Sequence, residues 1–264
     1  MDLRNTTTQA RCRRYACRAT ALTLLLSSQA QAWHPQYPPW SRPPIGSECS
    51  VDALPAVEDS VQWEGVTHFR DADTVLALDN RGAAPMLQVQ DAAGRLLLPA
   101  VELGGGLMGF HGVERVDLNG DHRPDYVVTL GSGGVGLAGG NAWRTVVLSQ
   151  VDHYRALRVP THEPTPDDYR RVPRQGGCAL LQLSVITASP SATRDHRWHT
   201  FWVYRLMRFE GARAIEASRA LPGLPNWILY THRTGNSSPT TRLRDASKRR
   251  LWNDPSRERI TALP

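Results

Sequence analysis

Gly112-Val-Glu-Arg-Val-Asp-Leu-Asn-Gly-Asp-His-Arg-Pro-Asp-Tyr-Val-Val-Thr-Leu130 holds two short runs rich in β-branched residues around a nine-residue stretch dominated by Asp, Asn, Gly and Pro. β-Branched and aromatic residues suit strands, whereas clustered Asp, Asn and Gly suit turns. The stretch therefore reads as two adjacent antiparallel strands, 112–116 and 126–130, joined by the loop Asp117 to Asp125. Asp117, Asn119, Asp121 and Asp125 fall at loop positions 1, 3, 5 and 9, and Arg123 offers its backbone carbonyl from position 7. Oxygen donors at this spacing suit one hard cation, calcium, and three crowded carboxylates repel one another unless something neutralises them. An EF-hand is excluded, because its bidentate Glu at position 12 is replaced by Val128 and both flanks read as strands.

The pattern Asp-x-Asn-Gly-Asp-x-x-x-Asp followed by Tyr-Val-Val resembles the calcium-binding hairpin of FG-GAP and VCBS repeats over residues 112–130. That resemblance implies a calcium ion held by Asp117, Asn119, Asp121, Arg123 and Asp125. Position 6 of such loops is usually Gly, since the backbone there takes positive φ; here it is His122, one of the non-glycine residues enriched in that region. A second copy of Asp-x-Asn-Gly-Asp is absent from the sequence, so no propeller is inferred from the single hairpin.

Working outward, residues 1–32 read as an export signal: Arg4, Arg11, Arg13, Arg14 and Arg18 precede the apolar run Ala19 to Leu26, and Ala30-Gln31-Ala32 offers a small-x-small cleavage pattern. The apolar run is too short to remain as a membrane anchor. This segment carries five Arg and one Asp, a net +4 of the chain's +6, which leaves about +2 for the mature protein and removes the electrostatic motive for nucleic-acid binding. Cys12 and Cys17 leave with the signal, so Cys49 and Cys178 remain and are expected to pair in a periplasmic or extracellular compartment. Neither has a cysteine or histidine partner at zinc-site spacing.

Residues 33–48, with five prolines, form an extended leader, and 49–264 are expected to fold as a single mainly β domain, β or α+β, built of antiparallel sheets. Strands are expected at 61–69, 74–78, 86–90, 95–101, 143–151, 179–187, 198–209 and 227–231, and Asp91-Ala-Ala-Gly94 marks a hairpin. Residues 160–173 read as a loop whose Thr165-Pro166-Asp167-Asp168 suits a short helical turn. Helices are expected at 211–222 and, amphipathic, at 242–252, the C-terminal helix of the fold.

Enzyme signatures are scarce. Gly134-x-Gly136-x-x-Gly139 spells a dinucleotide fingerprint, but the following residues read as a strand rather than the helix needed to receive a pyrophosphate. His196 and His199 stand three apart on a strand and face opposite ways. Glu58, Glu64, Glu102, Glu114 and Asp152 are available for acid–base work, with no spacing that singles out two of them. The sequence thus points to an exported calcium-binding protein, a non-enzymatic envelope or extracellular module for a carbohydrate or protein ligand. The alternative is a secreted polysaccharide or cell-wall hydrolase with a structural calcium ion.

Overall fold

A computed structural model describes residues 46–58, 60–62, 64–104, 109–172, 176–188, 199–217, 228–230 and 260–264. The export signal expected at 1–32, the expected leader up to residue 45, His196 and the helix expected at 242–252 lie outside the described residues.

Two short strands come first, β1 (Ser47–Glu48) and β2 (Asp52–Leu54). A four-stranded meander follows: β3 (Val66–Asp71), β4 (Thr74–Asp79), β5 (Met86–Asp91) and β6 (Leu96–Glu102). A second meander comprises β7 (Phe110–Val116), β8 (Asp125–Gly131), β9 (Asn141–Ser149) and β10 (Tyr154–His162). The chain continues through β11 (Tyr169–Arg171), β12 (Ala179–Ala188), β13 (His199–Glu210), β14 (Arg213–Glu216), β15 (Ile228–Tyr230) and β16 (Thr261–Ala262). The first sheet is β3-β4-β5-β6, the middle sheet β16-β10-β9-β8-β7-β2, and the third β1-β11-β12-β13-β14 with β15 on β13; all the pairings are antiparallel.

The middle sheet is covered on both faces. Tyr126, Val128, Leu130, Val147 and Ala156 pack with Leu76, Leu78, Leu87, Val89 and Leu98 of the first sheet. Val127, Val146, Leu148, Leu157 and Val159 pack with Tyr169, Leu180, Met207 and Phe209 of the third. Side chains alternate along a strand, so a strand apolar at both parities is one buried from both sides. All seven residues of β8 are buried, which explains why Tyr-Val-Val-Thr-Leu carries no polar face.

Two expectations are corrected. Of the helix expected at 211–222, residues 218–222 lie outside the described residues, and in the described part Gly211 (φ +53) turns the chain directly from β13 into β14, with Glu210 opposite Arg213. A positive φ at the first of two linking residues is the hairpin geometry that glycine favours, and it overrides the helical composition. The loop expected from 160 begins later, because Pro160 lies inside β10 opposite Trp143. Among the described residues β10 is paired on its other side with β16 only at Leu157 and Arg158, so no described strand there needs an N–H from Pro160. Ser47 and Glu48, at the end of the expected leader, already pair with Arg171 and Arg170.

Candidate functional site

The loop between β7 and β8 is held by its own Asp and Asn side chains. Asp117 Oδ1 accepts from the Gly120 N–H at 2.7 Å, and Oδ2 from the His122 N–H at 3.3 Å. Asn119 Oδ1 accepts from the Asp121 N–H, and Asp121 Oδ1 from the Arg123 N–H. Such side-chain acceptors are what let a short polar stretch turn without a backbone ladder. His122 has φ +63, the left-handed conformation its place in the loop requires, and its side chain is exposed with Nδ1 3.7 Å from Asp117 Oδ2.

Asp125 has a different environment from the other three. It is fully buried, its Oδ2 accepts from the Leu118 and Asn119 N–H groups, and its Oδ1 accepts from the N–H and hydroxyl of Ser149 on β9. Its four lone-pair directions are thereby occupied by the protein. The Ser149 hydroxyl also lies 2.9 and 3.1 Å from the two oxygens of Asp121. One hydroxyl proton faces three carboxylate oxygens, and Asn119 Nδ2, 3.2 Å from Asp121 Oδ2, is the other side-chain donor among them.

Burial pushes the Asp125 carboxyl up to about 6, against the four donors that pull it down. Between the ordinary carboxylate value near 3.9 and about 6, the folded chain keeps a proton that the unfolded chain has released. This group's contribution to stability is therefore greatest at acid pH and is lost as pH rises through about 6. A carbon-detected NMR titration of the Asp125 carboxyl is expected to show a midpoint near 6; an ordinary acidic midpoint would mean that the donors outweigh burial.

The loop leans on the third sheet. The Cys178 N–H donates to the Asp117 carbonyl at 2.7 Å, and Cys178 is joined to Cys49 by the expected disulfide, with a Cα separation of 6.1 Å. Gly120 and Gly177 meet backbone to backbone: a Cβ on Gly177 would lie 2.6 Å from the Gly120 nitrogen. On the far side, Arg123 donates to the carbonyls of Gln150 and Val151.

Beside the loop, a groove of about 700 Å³ opens where all three sheets converge. Asp71 and Asp73 come from the β3–β4 turn, Asp52 and Arg115 from the middle sheet, Asp117 and His122 from the loop, and Arg171 from the third sheet. Arg115 ties these walls together, donating from Nη1 to Asp71 at 3.0 Å and from Nη2 to Asp52 at 2.6 Å. The groove thus carries charges of both signs, and among the described residues no Phe, Tyr or Trp lines it.

A second polar assembly has no motif in the sequence. Arg144, on the face of β9 toward the third sheet, is fully buried, with Nη1 2.8 Å from Asp168 Oδ2 and Nη2 donating to the Thr165 carbonyl. Its guanidinium lies 5.1 Å from the centre of the Tyr169 ring, and the Tyr169 hydroxyl donates to Glu114 Oε2. The only signal in the sequence is an arginine interrupting the apolar run of β9. Thr165 to Asp168 does form the expected short helical turn, of 3-10 type over Pro166–Asp168, which places Asp168 against Arg144.

Among the described residues, no group of three or more His, Cys, Asp and Glu side chains is arranged to hold a metal ion, and no helix is long and apolar enough to cross a membrane. Gly136–Gly140 is a single 3-10 turn leading straight into β9. Of the carboxylates considered for acid–base work, Glu58 holds His68 at 2.7 Å, Asp152 holds His153 at 2.7 Å, and Glu114 belongs to the Arg144 assembly. The fold and loop define a three-layered antiparallel β protein with an Asp/Asn hairpin anchored beside a disulfide. No family model, curated protein or solved structure matches this chain.

Proposed function

We propose that this chain is an exported, non-enzymatic binding module of the envelope or the extracellular space, stabilised by one calcium ion at the β7–β8 loop. The observation that carries this reading is the charge imbalance at Ser149, whose single hydroxyl proton faces oxygens of both Asp121 and Asp125. The donor chemistry fits calcium: the loop offers carboxylate, amide and carbonyl oxygen and no sulfur. Asp117, Asn119 and Asp121 each give an oxygen to a loop N–H and keep further lone pairs. These three and the Arg123 carbonyl would hold the ion. Asp125, occupied by the protein, braces the loop from behind. Bound calcium would supply the positive charge that the carboxylates lack. The groove alongside is the ligand face, and its mixed-charge walls suit a polar carbohydrate or peptide surface.

The disulfide between Cys49 and Cys178 supports export, since such bonds persist in oxidising compartments.

Calorimetric titration with calcium, together with thermal melts in calcium and in chelator, tests the reading. Saturable binding is expected in the 0.1 to 1 mM range typical of roughly this class of extracellular site. At a hundredfold excess over Kd the ion adds about 2.7 kcal/mol to the folded state. Asp121→Ala is expected to abolish both the heat and the gain in Tm. A melt that ignores millimolar calcium would overturn the calcium reading and leave the loop as a self-braced turn.

A further inference from the structure

At the other end of β7 and β8 from the calcium-type loop, a cavity of about 160 Å³ lies against the Arg144 assembly. Its walls include His111, Glu114, Thr129 and Arg144, and Pro164, Thr165 and Pro166 cover it. Cross-strand register puts these polar groups together: Arg144 stands opposite Thr129 between β9 and β8, and Glu114 stands opposite Val127 between β7 and β8. Thr129 and Arg144 are both buried, in a layer that elsewhere holds Val127, Val146 and Val159. Buried polar groups cost free energy unless they are answered, so their concentration at one cavity needs a reason.

Their charges are already met. Arg144 is paired with Asp168 and lies over the Tyr169 ring. Glu114 receives the Tyr169 hydroxyl on one oxygen and feels the Arg144 guanidinium. Hydrogen-bonding capacity is what remains. Arg144 forms two of its five possible N–H bonds, its Nε–H has no partner, and the second oxygen of Glu114 accepts nothing from the described residues. A guanidinium donor and a carboxylate acceptor thus border one small space whose charges are internally compensated.

We propose that this cavity binds a neutral amide group, its carbonyl accepting from Arg144 or the Thr129 hydroxyl and its N–H donating to Glu114. A free carboxylate would meet Glu114 beside an Arg144 whose charge is already matched by Asp168, and an ammonium would meet Arg144, so both charged probes are disfavoured. The volume admits about five groups of water size, at roughly 30 Å³ each, enough for the four heavy atoms of acetamide. The amide has two natural sources, the acetamido group of an amino sugar and a side-chain carboxamide of a peptide.

Titration of the isotope-labelled full chain by NMR separates these possibilities. Acetamide, N-acetylglucosamine and glutamine are the probes, with acetate and methylammonium as charged controls. Saturable shifts at the amides of Gly112, Thr129 and Thr165 and at Arg144 Nε are expected with acetamide and with one of the two larger probes, which names the source. Glu114→Gln is expected to weaken the binding about tenfold. Thr129→Val, which keeps the side chain's volume, removes the hydroxyl should the first variant fail to fold, and a weakening of at least threefold is expected. Equal binding of acetate or methylammonium, or no saturable shift with any amide, would overturn the proposal. Calcium titration of the Glu114→Gln chain is expected to match that of the parent, so the two sites fail or stand separately.

Discussion

Replacing Asp168 by alanine is expected to lower the stability of the folded chain by about 3–5 kcal/mol, the cost of leaving one partner of a buried ion pair uncompensated. Both partners are almost completely buried, with side-chain exposures of 2% for Arg144 and 1% for Asp168. Asp168 Oδ2 accepts from Arg144 Nη1 and from the Thr165 N–H, so its removal frees a cation and a backbone donor in one step. Arg144 cannot escape by losing its proton, because a guanidinium stays charged in proteins. Urea denaturation of Asp168→Ala reads the loss directly. A double variant carrying Arg144→Leu and Asp168→Leu is expected to recover much of it, since apolar replacement of a whole buried pair is often neutral or better. A loss below about 1 kcal/mol for the single variant would place the pair in the class of exposed ion pairs.

The second large effect belongs to the disulfide. Cys49 and Cys178 are separated by 129 residues, and closing a loop of that length stabilises the fold by about 5 kcal/mol in the chain-entropy picture, an upper figure. Cys49→Ala with Cys178→Ala is expected to shift the denaturation midpoint accordingly. Because the Cys178 N–H holds the Asp117 carbonyl, backbone shifts should concentrate at Leu118 to Asp121 as well as at the cysteines. An unchanged midpoint would mean that the packing of Val51 and Leu180 around the bond suffices to hold this corner.

Much of the architecture is legible in the sequence, and the reason is periodicity. Strands β4, β5, β6, β8, β9 and β12 lie within a few residues of their expected positions because apolar residues and turn residues alternate there without conflict. The disulfide is legible because only two cysteines lie outside the segment expected to be an export signal, and the positive φ of His122 because the motif fixes which position needs it. The division into three layers is not legible. It depends on β8 and β9 being covered on both faces, and a run of buried residues does not say what covers it. The hairpin at Gly211 reads as a helix in the sequence because local composition favours one, whereas the decision lies in pairing with β13. The Arg144 assembly is invisible for a related reason: Glu114, Thr129, Arg144 and Asp168 lie on three strands and a turn, and only the register brings them together. Asp125 is recognisable as an acid of the loop, but its union with Ser149, 24 residues further on, belongs to the fold.

The edges of the middle sheet have a consequence for the order in which the chain assembles. One edge is closed by β2 along Asp52 to Leu54, and the other by β16 at Thr261 and Ala262. More than two hundred residues separate these two strips in the sequence. A chain emerging from its N-terminal side can therefore complete the first sheet and lay down β7 to β10 long before β16 is available. During that interval β10 exposes unpaired N–H and C=O groups beside an apolar surface, the arrangement through which one molecule adds to another. Thr261 and Ala262 thus act as a latch: removing them should leave the local pairings of the first two sheets in place while making the chain prone to associate edge to edge.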